Sequence, residues 1–225
     1  GVEAHGGSVA VQAAWLKLEG ARIVADDAIR ASDKVKQIAQ TLDRALEKCG
    51  AVEGAGMLWL DRIQMEKGRS NGEDGMAVVL FRMVKAGASE DDVLTAVKRI
   101  ADLAEQGDKG ACVMALKRPL PSKIRGALLQ EIIHAALDAG SHEQAAAAFE
   151  RWAGEDCARH DHSGWLEWEE ALRAKGTHKE ANAALWRARR VLADPAGFDE
   201  ALALRDAPSA AAEEDEEEEE GEEDA

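Results

Sequence analysis

The stretch that decides the fold is residues 58–90, LWLDRIQMEKGRSNGEDGMAVVLFRMVKAGASE. Apolar residues recur at helical spacing on both sides of a glycine-rich segment, Gly68 to Gly75, which separates two predicted helices. Gly87 followed by Ser89 and acidic residues is typical of a helix stop and then the N-cap of the next helix. The stretch therefore predicts two helices joined by a turn, an αα-hairpin, with a third helix starting directly after it.

The same pattern continues along the chain in both directions. Short glycine- or proline-containing breaks separate the helical segments, and the Pro119/Pro121 pair is expected to end a helix. The segments pair consecutively into about five hairpins. Helices are predicted at 9–30, 33–49, 56–68, 74–87, 89–106, 109–118, 122–139, 141–153, 163–175 and 177–192, with a short one at 196–205.

The composition supports an all-α fold. Ala, Leu, Glu, Lys and Arg dominate the 225 residues, Tyr is absent and Phe occurs three times. Because β-branched and aromatic residues are scarce, an immunoglobulin sandwich, a barrel and a doubly wound sheet are disfavoured. No apolar run approaches the ~18 residues needed to cross a bilayer. The chain begins at Gly1 and not at Met, so we expect a fragment or a processed chain, whose missing start could have held a signal segment.

The negative charge is concentrated at one end. The whole chain has a formal net charge of −16, from 44 acidic and 28 basic residues. Residues 213–224 hold eleven acids and no base, which leaves 33 acids against 28 bases, or −5, for the rest. A block of like charges repels itself and cannot bury apolar surface. We therefore predict a helical repeat domain over 1–206 and a disordered acidic tail over 207–225, able to attract basic proteins.

The cysteines do not form a disulfide or zinc pattern. Cys49, Cys112 and Cys157 are an odd number, lie far apart and form no CxxC motif, which favours a reducing compartment such as cytosol or nucleus. Cys157, His160 and His162 could supply three metal ligands, but a zinc site needs about four. A polar loop between hairpins is the preferred interpretation, with no metal and no cofactor.

Internal repeats appear in the second helix of each pair. Residues 42–46, 80–84, 149–153 and 185–189 look alike, and each contains an arginine: Arg44, Arg82, Arg151 and Arg187. When Arg118 is included, the spacings are 38, 36, 33 and 36 residues. A two-helix period near 36 is typical of a helical solenoid, here predicted to be right-handed.

Two of these units resemble the half-a-TPR (HAT) repeat. The motif has a Trp, an aromatic three residues later and a Glu in the first helix, then an aromatic-x-Arg-Ala-Leu pattern in the second. Residues 58–66 and 79–82 carry it around Trp59 and Glu66, whereas 164–169 and 184–188 carry it around Trp165. Trp15 opens a similar first helix. The matched positions are Trp15, Arg44, Trp59, Glu66, Arg82, Arg151, Trp165, Trp168, Trp186 and Arg187.

Known HAT proteins are scaffolds of RNA-processing machines. The last repeat followed by one short helix near the chain end looks like the C-terminal region of the U3 snoRNA-associated protein six family of the small-subunit processome. The HAT region of the ribosome-biogenesis protein Rrp-five is a close alternative, and a splicing HAT protein stays open. The resemblance implies that an acid such as Glu66 pairs with a base such as Arg82 to stabilise a hairpin.

The tryptophans and arginines allow two interpretations. Helical periodicity favours packing between helices for the tryptophans, with Trp152 and Trp168 expected to be partly exposed. The alternative is a platform on which nucleic-acid bases stack. The repeated arginines could likewise bind phosphate or form intramolecular ion pairs.

We find no enzyme signature. Gly54-Ala55-Gly56 lacks the Lys and Ser/Thr of a phosphate-binding loop, and no serine lies in a nucleophile-elbow sequence. Together with this, the HAT resemblance implies a non-catalytic scaffold of ribosome biogenesis in the nucleus and nucleolus. It would act through protein contacts, reach RNA indirectly and avoid membranes. The alternatives are a scaffold of the spliceosome or of cleavage and polyadenylation, a generic protein-binding module, or an accessory domain of a longer enzyme.

Overall fold

A computed structural model describes residues 8–49, 51–52, 54–67, 69, 71–103 and 109–207. Every regular element in these residues is helical, so the all-α prediction is confirmed. The predicted acidic tail and the start of the chain lie outside the described residues. The helices are α1 (Val9–Ala25), α2 (Ala31–Cys49), α3 (Gly56–Gln64), α4 (Gly72–Ala86), α5 (Glu90–Leu103), α6 (Gly110–Ala115), α7 (Ser122–Asp138), α8 (His142–Trp152), α9 (His162–Ala174), α10 (His178–Val191) and α11 (Pro195–Asp206).

The helix boundaries follow local chemistry. Gly87 ends α4 with a left-handed φ of 81°, which glycine adopts without a Cβ penalty. The Ser89 hydroxyl then accepts a hydrogen bond from the Asp92 amide at 3.2 Å, which caps α5 as predicted. Pro121 directly precedes α7, so the expected proline break is also observed.

Several features of the helices differ from the prediction, among them the ends of α3 at Gln64 and of α6 at Ala115, before the predicted residues 68 and 118. The first helix ends at Ala25, whereas its apolar pattern predicts that it continues to residue 30. A short 3-10 helix covers Asp156–His160, where a polar loop was expected.

The chain divides into two compact units between Glu155 and Asp156, within the range predicted as one domain. In the first unit, contacts join consecutive helices and alternate ones, as in α3 with α5, α5 with α7, and α4 with α6. One apolar core runs through it from Leu42 to Leu128 and includes Trp59. In the second unit, α9 packs against α10, α11 and the 3-10 helix.

Amphipathic spacing explains which faces are buried. On α5 the buried residues Val93, Ala96, Val97 and Ile100 form a single stripe, and the first turn holds acidic residues that favour the helix N-terminus. None of the described helices is both long and apolar enough to cross a membrane.

Candidate functional site

Trp59 lies at the centre of the first candidate site. It sits on α3 with a side chain that is 2% exposed, so it packs in the core as its periodicity predicts. The indole also contributes to the lining of a surface cleft of about 430 Å³ between the ends of α2 and α4. Most of the cleft lining is apolar, and most of its charged residues are basic. The lining residues are Leu46, Glu47, Lys48, Ala51, Val52, Trp59, Arg82, Lys85 and Ala86.

An ion network supports the wall of this cleft. Arg62 on α3 donates from Nε to Asp43 Oδ1 at 3.0 Å and from Nη1 to the Glu66 carboxylate. Arg69 donates to both oxygens of Glu66, at 2.7 and 3.0 Å. Arg82 on α4 donates to Asp43 Oδ1 at 2.9 Å. Because Asp43 lies on α2, the network joins three helices.

The network changes the protonation behaviour of its buried members. Burial alone would raise the pKa of Glu66, but hydrogen bonds from Arg62 and Arg69 outweigh it, and the pKa is lowered. Burial alone would lower the pKa of Arg62. Its hydrogen bonds to Glu66 and Asp43 outweigh that effect, so its pKa is raised above the ordinary value for arginine. Both groups are therefore charged at neutral pH, and their opposite charges stabilise the contact between them.

The pairing differs from the one that the HAT resemblance implies. Arg82 is ion-paired, but its partner is Asp43 of the preceding helical pair and not Glu66. Glu66 instead binds two arginines of its own segment, Arg62 and Arg69. The i, i+4 spacing of Arg62 and Glu66 is a sequence signal that could have revealed this pair. The partnership with Asp43 depends on how α2 packs and has no local signal.

Two glycines allow the approach of α4 to this network. A Cβ placed on Gly72 would lie 2.5 Å from the backbone oxygen of Glu66, and one on Gly75 would meet the Glu66 carboxylate. The first contact involves backbone, which cannot rotate away. Glycine at these two positions in the first turn of α4 is therefore required by close packing.

In the second unit, Trp165 occupies the position equivalent to Trp59. Its side chain is 1% exposed, and its indole Nε1 donates to the carbonyl of Ala158 at 2.9 Å. Arg187 of α10 lies over the ring, with its guanidinium carbon 5.8 Å from the centroid. Arg187 thus stabilises a helix pair within this unit.

Glu169 is the most deeply buried acid among the described residues. It is fully enclosed and pairs with Arg173 of α9 and, at 2.7 Å, with Arg205 of α11. The neighbouring Glu170 is exposed, as expected for adjacent positions on a helix. Neither the burial of Glu169 nor its pairing with Arg205 was predicted, because both depend on where α11 packs.

The tryptophan predictions need one correction. Trp152 and Trp168 were expected to be partly exposed, yet both are buried. Trp186 is the exposed one, with 67% of its side chain accessible on α10. Helical periodicity places a residue on a face, but it does not show whether a neighbouring helix covers that face. Trp15 on α1 is half-buried.

The remaining repeat positions do not assemble into one site. Arg44 is exposed on α2 and Arg151 is exposed on α8, so neither lies at the cleft or in the core. The repeated arginines therefore have different surroundings from one helix to the next, in contrast to the regular spacing of their positions in the sequence.

The residues considered for metal binding are accounted for separately. His162 packs edge-on against Phe198, and His160 ends the 3-10 helix. Among the described residues, no group of three or more His, Cys, Asp or Glu side chains is placed to hold a metal ion. Cys157, the third of these candidates, is half-buried. Cys112, which was not a candidate ligand, is enclosed, and burial raises the pKa of its thiol to about 12, which keeps it protonated and unreactive.

No protein-family model, curated protein or solved structure matches this chain.

Proposed function

We propose that this protein is a non-catalytic helical-repeat scaffold that binds other proteins in an RNA-processing assembly. The observation that carries the proposal is the order of helix contacts in the first unit. Consecutive helices pack together, and between α3 and α7 each helix also packs on the next-but-one helix, as expected when two-helix hairpins stack side by side. This order supports a solenoid built of hairpins, whose surface a partner segment could follow.

The cleft between α2 and α4 is the partner site that the described surface favours. Its lining includes apolar side chains together with the exposed Lys48 and Lys85, one acid, Glu47, and Arg82, whose charge is already paired with Asp43. Lys48 and Lys85 lie in the last turns of their helices, where a cation also favours the helix dipole. An extended segment with one apolar side chain and flanking acids would complement this lining.

The cellular setting comes from the HAT resemblance alone. We propose ribosome biogenesis, specifically pre-rRNA processing for the small subunit with the U3 snoRNP, in the nucleolus. The runner-up is another HAT-type assembly, such as the spliceosome or the cleavage and polyadenylation machinery. The different pairing of Arg82 weakens the match to the HAT pattern and does not bear on the order of helix contacts.

Affinity purification of the tagged full-length chain tests both levels of the proposal. We expect U3 snoRNA and small-subunit processome proteins to be enriched in the purified material. Enrichment of spliceosomal RNA would replace the first setting by the second. Recovery of no stable protein partner would overturn the scaffold itself.

A charge reversal in the cleft tests the partner site. Lys48→Glu together with Lys85→Glu should reduce partner recovery at least severalfold, because both substitutions oppose an acidic segment. Lys98→Glu is the matched control, since Lys98 is an exposed lysine of the same unit on α5. Equal recovery with the double variant and the control would exclude the cleft.

A further inference from the structure

The exposed side chain of Trp186 is the feature that the scaffold role leaves unexplained. It is 67% accessible, whereas Trp59, Trp152, Trp165 and Trp168 are all buried. A single exposed apolar residue is common on protein surfaces and needs no function by itself. What distinguishes this one is how its neighbours hold and surround it.

The indole is held from one side. The Arg189 guanidinium carbon lies 5.7 Å from the Trp186 ring centroid, in cation–π geometry. Arg189 is in turn fixed by Asp199 of α11, with a distance of 2.7 Å between Nε and Oδ1. This chain of contacts restrains the ring before any ligand arrives. It also offsets the negative charge of Asp199 near the ring.

Basic residues continue along the same face of α10. Arg190 lies one turn after Trp186, and Lys179 lies two turns before it, with Ala183 between them. Both cations are exposed and have no ion-pair or hydrogen-bond partner among the described residues. Residues at these spacings share one helical face. We name this set, Lys179, Ala183, Trp186 and Arg190, the α10 stripe; it extends about 16 Å along the axis.

We propose that the α10 stripe binds single-stranded nucleic acid, with one base stacked on Trp186 and the flanking phosphates contacting Lys179 and Arg190. A π-face between unpaired cations complements a ligand that alternates aromatic bases and negative phosphates. A protein segment with flanking acids would also contact the two cations, but the flat face of the indole matches a planar base more closely, and the RNA-binding test below separates the two. The small Ala183 side chain leaves room beside the ring. The inference goes beyond the scaffold role, in which RNA is reached only through other proteins.

The test measures binding of the full-length protein to a fluorescein-labelled single-stranded RNA of about 12 nucleotides by polarisation. Trp186→Ala should weaken binding roughly tenfold, the effect of losing one stacked base. Trp186→Phe should restore most of the affinity, because it keeps an aromatic face. Leu204→Ala is the matched control: Leu204 is an exposed apolar residue on α11 of the same unit, and its loss should leave binding unchanged. Circular dichroism and the melting temperature verify that each variant is folded.

The salt dependence tests the phosphate contacts separately. Arg190→Ala and Lys179→Ala should each lower the slope of log affinity against log salt by about 0.7, the value for one phosphate contact on a single strand. Lys175 is an exposed lysine at the end of α9, and Lys175→Ala should leave the slope unchanged.

The proposal is overturned if the wild-type protein does not bind the RNA at low salt, or if Trp186→Ala binds as the wild type does. In the second case the exposed indole takes no part in RNA binding. Neither result would affect the partner purification that tests the scaffold.

Discussion

At the scale of single residues, the six tryptophans differ in what surrounds them. Trp59 and Trp165 take equivalent positions in their units and are enclosed by paired helices, whereas Trp186 is held in the open by Arg189. Tryptophan thus fills the core at some positions and exposes its ring to solvent at another. Burial and contact partners separate these uses, and residue type does not.

Replacing the enclosed tryptophans should destabilise the fold. Trp59→Ala and Trp165→Ala should each lower the free energy of unfolding by about 3–5 kcal/mol, the usual cost of deleting a large buried aromatic. Trp186→Ala is the control and should change it by less than about 0.5 kcal/mol. Urea unfolding followed by circular dichroism measures all three. Unchanged stability of both buried-site variants would contradict the enclosed packing of these rings.

The Glu66 carboxylate should contribute to stability in a pH-dependent way. Glu66→Gln leaves the buried Arg62 with Asp43 as its remaining anion, so we expect a loss of about 2 kcal/mol, below the ~3–5 kcal/mol of a fully isolated buried charge. Asp74→Asn removes the more exposed pair with Arg118 and should cost less than about 1 kcal/mol. Denaturant unfolding near neutral pH measures the change in the free energy of unfolding for both variants.

The sign of the pH effect follows from the lowered pKa of Glu66 in the folded state. The stability that this carboxylate contributes is fully present above its ordinary pKa of 4.5 and is lost as the pH falls through the lower folded value. The difference in unfolding free energy between wild type and Glu66→Gln should therefore shrink as the pH falls below 4.5. A difference that stays constant through that range would show that the ion pairs contribute nothing.

At the scale of elements, the start of α4 shows how close packing constrains the residue type at a helix terminus. Gly72 lies against the backbone oxygen of Glu66, and the ion network around Glu66 depends on this approach. Gly20, within α1, differs because a Cβ placed on it would have no atom within 4 Å and would lie in open space. The two glycines should thus respond to the same substitution with opposite signs.

Alanine substitution tests this difference. Gly72→Ala should destabilise the protein by roughly 1–3 kcal/mol, the usual cost of overpacking. Gly20→Ala should stabilise it by about 0.5–1 kcal/mol, because alanine favours a helix interior. The melting temperatures of the two variants, each compared with that of the wild type, measure these opposite changes in stability. Equal shifts in the same direction would contradict the packing account.

Most helices could be predicted from the sequence because periodicity and breaks are local signals. The stop at Gly87 and the cap at Ser89 both act within a few residues. The partner of Arg82 and the exposure of Trp186 could not be predicted. Both depend on which helix packs against which face, a property of distant residues that no local pattern encodes. The 3-10 helix at 156–160 was missed because it is too short to show a period.

At the scale of the whole molecule, charge is distributed unevenly along the sequence. The net charge is −16, of which residues 213–224 supply −11. The ion pairs at Glu66 and Glu169 are, by contrast, short-range and internal to their units. A dense acidic segment instead acts over about a Debye length, roughly 10 Å at 0.1 M salt.

Deleting residues 213–224 should leave the melting temperature nearly unchanged, because the segment has almost no apolar group to bury. It should reduce recovery of basic proteins at low salt and have little effect at high salt, where the charges are screened. Pull-downs with full-length and truncated chains at two salt concentrations measure this. If recovery of partners is the same for both chains at low salt, the segment serves solubility alone.

Two of the three thiols allow the opening of the first unit to be followed. Cys49 and Cys112 are enclosed in the first unit, whereas Cys157 is half-buried in the second. An alkylating reagent reaches an enclosed thiol only when the surrounding helices open, so the modification rate of Cys112 reports the opening frequency of its own unit. Mass spectrometry of the peptides that contain Cys49 and Cys112 can therefore follow local opening of the first unit in the wild-type chain without an added label, with the half-buried Cys157 as the reference for a more accessible thiol.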